Sequence, residues 1–180
     1  MKKFFLLASI IGALYLTACN DGSTGTAGTD AKKDSTAMTQ EDKEERNKKT
    51  ALASVNEFLA GNIDGVFKDV VPDATDYFDG TMPAIKGVDS IKAGMKGWLA
   101  AFEVKGNNIE AVADGNTVIV YGDWTYTWKN DFMGAKANGK SATYKDVDIF
   151  TFNDEGKMTS HRSIYPSSAF MASVGVPAPK

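Results

Sequence analysis

The stretch KDVDIFTFNDEGKMTSHRSIY (residues 145–165) reads as two strands joined by a tight turn. On the first strand Val147, Ile149 and Thr151 alternate with Asp148, Phe150 and Phe152; on the second Ser160, Arg162 and Ile164 alternate with Thr159, His161, Ser163 and Tyr165. Asn153-Asp154-Glu155-Gly156 carries the turn chemistry, and Gly156 suits a positive φ. The chain's single histidine, His161, therefore lies on the strand next to Asp148. Register decides whether the two meet. If Phe152 faces Lys157, Asp148 faces His161; if Asn153 faces Lys157, Asp148 faces Arg162, because a one-residue slip changes every partner.

Working back from the hairpin, residues 117–128 read as a long strand with Trp124, Tyr126 and Trp128 on one face. Residues 104–113 read as another, closed by an Asp114-Gly115 turn, and 129–139 as a polar loop. Before Phe102 the period is helical. Ile91, Met95, Trp98, Leu99 and Phe102 form one apolar stripe, with Asp89 as the expected N-cap. Residues 74–79 read as a short strand. Ile63, Val66, Phe67 and Val70 fit a short helix stopped by Pro72, and Leu52, Val55, Phe58 and Leu59 an earlier helix ended by Gly61. Helices followed by a meander of long strands make an α+β pattern. A bent antiparallel sheet can wrap one face around a long helix as a cone with a pocket at its wide end. After the hairpin, Phe170 and Met171 are placed to fold back over that end as a lid.

The N-terminus has a different character. Lys2 and Lys3 precede an apolar run over residues 4–16, too short to span a bilayer and suited to a signal-peptide core. Leu16-Thr17-Ala18-Cys19 resembles the bacterial lipobox, which implies cleavage after residue 18 and acylation of Cys19, for example with palmitate. Asn20 after the cysteine resembles the sorting signal for the outer membrane of the cell envelope. Residues 19–45, poor in apolar side chains over 20–40, form the lipidated cysteine and a flexible tether. Loss of residues 1–18 removes Lys2 and Lys3 and no acid, leaving 18 basic against 23 acidic side chains, a net charge of −5. That balance excludes nucleic acid as a partner. With Cys19 acylated no thiol remains, and one histidine is too few for a transition-metal site. Asp73, Asp76 and Asp79 lack the Gly-anchored loop of calcium sites and read as a solvated acidic run. The sequence has no phosphate-cradling Gly loop, serine elbow or dinucleotide fingerprint, so neither a metal nor a cofactor is expected.

Three phrases then matter for their order and spacing: GNIDGVFKDVVPDATDYFDG (61–80), KGVDSIKAGMKGWLAAF (86–102) and VDIFTFNDEGKMTSHRSIY (147–165). Together they resemble the SnoaL-like branch of the nuclear-transport-factor-2-like superfamily, with the domain spanning residues 46–175 and a tail at 176–180. The resemblance implies a cone-shaped, cystatin-like α+β fold, a curved antiparallel sheet around N-terminal helices, an apolar pocket and a homodimer through the outer sheet face. The superfamily holds cyclases, isomerases, dehydratases and non-catalytic binding domains, so fold alone does not name a reaction. In its steroid isomerase branch the base would fall on Phe78, the tyrosine on Ser54 and the acid on Asp148; only the last matches, which excludes that chemistry unless Asp79 turns inward. The family's last-strand pocket positions fall on His161, Ser163 and Tyr165, which favours His161 over Arg162 as the partner of Asp148.

The expected site follows. Asp148 and His161 are the catalytic candidates, an acid and base that could move a proton; equally, they could pair only to satisfy each other beside a cavity. Phe78, Trp98, Phe102 and Trp124 are expected as pocket walls, with Ser163 and Tyr165 as polar contacts. The expected function is binding of a small, largely hydrophobic molecule by a lipid-anchored protein. An isomerase, cyclase or dehydratase is the alternative, and a protein-interaction module the third.

Overall fold

The computed structural model describes residues 38–165 and 167–175. The expected signal peptide, Cys19, the expected tether as far as residue 37 and the tail at 176–180 lie outside the described residues.

Helix α1 (Gln40–Leu59) opens with a reciprocal cap: the Thr39 hydroxyl accepts from the Asp42 amide at 3.1 Å and the Asp42 carboxylate accepts from the Thr39 amide at 3.2 Å. The charged run thus belongs to the same helix as Leu52–Leu59, and residues 40–45, expected in the tether, are helical. Helix α2 (Ile63–Val66) is a single turn, shorter than expected. Strand β1 (Val70–Asp76) already begins where that helix was expected to continue, so Pro72 does not stop a helix but sits inside a strand. Its missing N–H is tolerated because the pairing of β1 with its neighbour breaks between Val70 and Thr75. Strand β2 (Ile85–Lys86) leads through Gly87, the N-cap at φ 90°, into α3 (Val88–Ala101); Asp89 falls in the first turn, favourable to the helix dipole, and is not the cap. Strands β3 (Phe102–Asp114), β4 (Thr117–Trp128), β5 (Ser141–Phe152) and β6 (Met158–Ile164) follow, then α4 (Ser167–Val174).

The six strands form one curved, unclosed sheet in the order β2-β1-β6-β5-β4-β3. The expected antiparallel meander is β3 to β6; β1, in contrast, joins β6 in parallel. The concave face carries Val118, Val120, Trp124, Tyr126 and Trp128 from β4 and Phe150 and Phe152 from β5, all buried against Ala51, Val55 and Ala101 of the helices. The period-two pattern in the sequence is the direct cause: alternate residues of β4 and β5 are removed from water and the rest stay on the outside. On that convex side Val112, Ile119 and Ile149 form one paired row and Tyr121, Val147 and Ile164 another, with Val112, Tyr121 and Ile164 exposed.

The β5–β6 hairpin holds the decisive irregularity. Its turn pairs Asn153 with Lys157, whose amide donates to Asn153 Oδ1 at 2.9 Å and whose carbonyl accepts from Asn153 N at 2.9 Å. Continued regularly, that register would set Asp148 opposite Arg162. Instead the pairing shifts between Phe152↔Met158 and Thr151↔Ser160, leaving Thr159 as an extra residue. Beyond the bulge Phe150 faces His161 and Asp148 faces Ser163, so neither simple register holds.

Gly156 closes this turn at φ 79°, and a side chain there would also meet the Arg46 guanidinium of α1. Gly156→Ala is expected to cost about 1–2 kcal/mol from the left-handed backbone alone, read as a lower urea midpoint with unchanged slope.

Candidate functional site

The bulge at Thr159 brings His161 onto the concave face, where three strands converge. His161 Nε2 lies 2.9 Å from Asp148 Oδ1 on β5, and Nδ1 lies 3.3 Å from Asp76 Oδ1 on β1. Asp148 sits diagonally across from His161, and its Oδ1 also accepts from Ser163 Oγ at 2.8 Å. Asp76 pairs directly with His161 in the parallel ladder and additionally accepts from the Phe78 amide at 2.9 Å. The expected pair is therefore a triplet, with one imidazole between two carboxylates. Asp76, expected in a solvated acidic run, is in fact buried at 7% exposure.

Two further side chains extend the cluster. Asp146, two residues before Asp148 and hence on the same face, is 3% exposed and accepts from the Tyr126 hydroxyl at 3.1 Å. Its own backbone neighbour, Val147 N, donates to its other oxygen at 2.7 Å. Tyr165 follows β6 and faces the same interior, packed against the core.

Electrostatics divide the acids by role. Burial opposes a charge on His161, but the hydrogen bonds and charges of Asp148 and Asp76 outweigh it and push the imidazole up to about 10. Burial also opposes the charge on Asp76, and His161 overcomes it, holding that carboxyl below its usual range. Asp146 has no direct bond to His161, whose charge is the smallest of the influences on it. Burial, then the charge of Asp148, push its carboxyl up to about 6. Burial pushes the Tyr165 phenol up to about 12, helped by the charges of Asp79 and Asp146, and raises Tyr126 for the same chief reason. At neutral pH His161 is charged, with both ring nitrogens donating, and Asp76 is ionised. The group closest to a working proton exchange is Asp146.

The expected walls divide too. Trp98 and Phe102 stand in the interior, with ring centroids 4.4 Å apart. Trp124 packs edge-on to Phe58 of α1 at 6.3 Å and belongs to the core under that helix. Phe78 lies in the turn after β1, at φ 46°, rather than on a strand; its contribution to the cluster is main-chain, with its amide on Asp76 and its carbonyl accepting from Ser163 N at 2.9 Å. Ser163 holds Asp148 in place. Nor is the wide end open as expected. Phe170 of α4 is fully buried within it, ringed by Trp98, Phe102, Tyr126, Tyr144 and Tyr165. Two surface clefts lie elsewhere: one of about 430 Å³ along Val70, Pro72 and the start of α3, and one of about 210 Å³ between the end of α1 and β3. Neither is lined by Asp148 or His161.

The triplet sets a pH dependence. Since the folded pKa of His161 is raised above its ordinary 6.5, its stabilisation is complete below about 6.5 and is lost as pH rises through about 10. Asp146, raised from 3.8 to about 6, acts in the same sense over the lower range. The urea midpoint is therefore expected to fall steadily between those pH values as the solution becomes alkaline. Asp148→Asn should lower the His161 pKa by about 1–3 pH units, read by NMR on the single imidazole. Unfolding free energy should drop toward the low end of the ~3–5 kcal/mol seen when one partner of a buried pair is removed, since the imidazole side chain keeps 29% exposure.

Known proteins bear on the fold and the family. Among curated proteins none matches this chain. A protein of Xanthomonas campestris pv. campestris named as a polyketide cyclase superposes with a TM-score of 0.68 at 17% identity, over 73% of this chain and 98% of its own. A protein of Jannaschia sp. CCS1 named as a SnoaL-like polyketide cyclase gives 0.65 at 23% identity, over 75% and 95%. AclR of Streptomyces galilaeus, named as a hydroxylase, gives 0.64 at 20% identity, over 75% and 99%. These likenesses establish the fold. The family model described as SnoaL-like polyketide cyclase matches residues 49–174, from within α1 to the end of α4, and the chain belongs to that SnoaL-like family.

Proposed function

We propose that this chain is a lipid-anchored protein of the bacterial cell envelope whose curved sheet binds a small, largely hydrophobic molecule. The observation that carries this reading is the union of an aromatic cage with a buried polar cluster: rings from α3, β3, β4 and β5 meet where Tyr126 reaches Asp146 and, beside it, Asp148 and His161. Apolar contact would supply affinity, and the few polar groups would fix orientation. The polyketide cyclase names of the structural relatives agree with a ligand built on carbon rings.

A second reading is an enzyme of the isomerase, cyclase or dehydratase type, favoured by the raised pKa of Asp146. Asp148 and His161, the acid and base expected from the sequence, would then act by position and charge, because each ring nitrogen already donates to a carboxylate. Asp146 would exchange the proton with a bound carbonyl or enol. The exposed apolar rows on the convex face suit the homodimer implied by the resemblance.

Solvent extraction of the native protein followed by mass spectrometry is expected to yield an apolar molecule at near one per chain. A clean extract from protein purified under native conditions would sink the binding reading. For His161→Ala, weaker retention of that molecule is expected, with its chemical structure unaltered; a molecule recovered in a changed form from the parent but not from the variant would favour the enzyme. Anchoring has its own test: Cys19→Ser should abolish incorporation of labelled palmitate and move the protein to the soluble fraction, and continued membrane retention would overturn it.

A further inference from the structure

The loop between β4 and β5 is tied down at its base and ends in an apolar side chain. At the base, Lys129 N and Asn130 N donate to the Ala101 carbonyl at 2.8 and 3.1 Å, and Asn130 Nδ2 donates to the Ala100 carbonyl at 2.7 Å, which joins the loop to the end of α3. At the tip, Phe132 and Ala135 exchange both backbone hydrogen bonds, at 3.0 and 2.9 Å, around Met133 and Gly134. The neighbouring side chains take opposite directions. Phe132 turns inward and packs edge-on to Trp98 and Phe102, with ring centroids 5.6 and 5.3 Å away. Met133 stands outward at 73% exposure, more than any other large apolar side chain among the described residues.

The backbone at Met133 is strained. Met133 and Gly134 both have positive φ, 49° and 81°, the mark of the primed two-residue turn in which Asn-Gly is favoured. An apolar side chain gains nothing for the fold there: its backbone is left-handed and its thioether meets water. Such a departure at a surface tip points to a use outside the fold. The charge of the loop points to the partner. Residues 129–140 carry Lys129, Lys136 and Lys140 against the single acid Asp131, a net +2 in a chain of net −3. All three lysines are exposed. The pairs of Lys136 with Asp131 and of Lys129 with Glu103 lie at the surface, where such pairs add little, and with Glu103 counted one lysine stays unbalanced.

We infer that the 129–140 loop is a membrane contact site: Met133 enters the headgroup region of a bilayer while Lys129, Lys136 and Lys140 face anionic lipid phosphates. A bilayer accepts a lone apolar tip without a matching socket, and its anionic headgroups complement a positive loop on an acidic protein. One apolar side chain and a small net charge give weak, reversible contact, so the loop orients the protein at the surface rather than anchoring it. This contact is separate from ligand binding and does not depend on acylation of Cys19.

The test uses the full chain without a label. Dilute hydrogen peroxide converts exposed methionine to its sulfoxide, and peptide mass spectrometry reads the rate at Met133. With phosphatidylglycerol vesicles that rate is expected to be at least about fivefold lower than with phosphatidylcholine vesicles, the effect of one unbalanced lysine at an anionic surface. An acyl anchor would be common to both vesicle types and would cancel. About 1 M salt, which screens charges beyond about 3 Å, is expected to abolish the difference, as is the joint variant Lys129→Gln, Lys136→Gln, Lys140→Gln. Met133→Asn is expected to raise the urea midpoint, because the turn then has its favoured residue. Equal rates on the two vesicle types overturn the contact site. So does protection that appears without vesicles as the protein is concentrated, which assigns Met133 to contact between copies. An unchanged or lower midpoint for Met133→Asn gives the side chain a part in the fold and overturns it as well. Each of these results leaves the interior binding function standing.

Discussion

One extra residue in β6 decides which side chains this domain turns inward. Had the hairpin continued from its Asn153–Lys157 turn without Thr159 as a bulge, Arg162 would share a face with Asp148, and His161 would point outward. A guanidinium would then compete for the concave interior while the imidazole met water. The bulge reverses this, and the Thr159 hydroxyl, donating to the Thr151 carbonyl at 3.1 Å, helps to hold the irregular stretch. Arg162 instead lies on the convex side, over the ring of Tyr77 at 5.1 Å.

What the bulge delivers is a cross-link between strands of opposite sense. Asp76 comes from β1, parallel to β6; Asp148 comes from β5, antiparallel to it. His161 sits between them, and the backbone repeats the connection, with Tyr77 N donating to the His161 carbonyl and Ser163 N to the Phe78 carbonyl, both at 2.9 Å. The pairing of β1 is short and broken, so this side-chain bridge and these two bonds fix its end to the main sheet. The one imidazolium bonds directly to Asp76 and Asp148; it acts on the third acid, Asp146, only through space and as the smallest of the influences on it. Its affinity for a proton comes first from its burial and then from the charge of Asp148 beside it.

Much of the architecture was legible because the strands are long and strictly alternating. The bounds read for β4 agree with those found, and Trp124, Tyr126 and Trp128 do share a buried face. That Asp148 lies beside Phe150 and Phe152 on one face follows from parity within β5. The partner of Asp148 could not be settled the same way, since a bulge leaves no mark in alternation: Thr159 looks like any strand residue. Asp76 was hidden for another reason. It meets His161 across 85 positions through a parallel pairing that no local pattern announces, and acids clustered after a proline resemble a loop. Asp146 had a usable signal, its spacing of two from Asp148, but a carboxylate is a poor guess for a buried position until its tyrosine partner is known. The aromatic residues of the interior were identifiable as a set; which of them would surround Phe170 depended on how the helices cross the sheet.

The double clasp on His161 also bears on what the imidazole can refuse. A ring that gives both its protons to acids has no lone pair to offer, and soft or borderline cations such as copper and zinc bind imidazole only through that pair. To capture the histidine, an invading ion would have to strip a proton from the ring and part it from Asp76 or Asp148. The chain's one imidazole is thereby withheld from opportunistic coordination by the same acids that hold its strand in place.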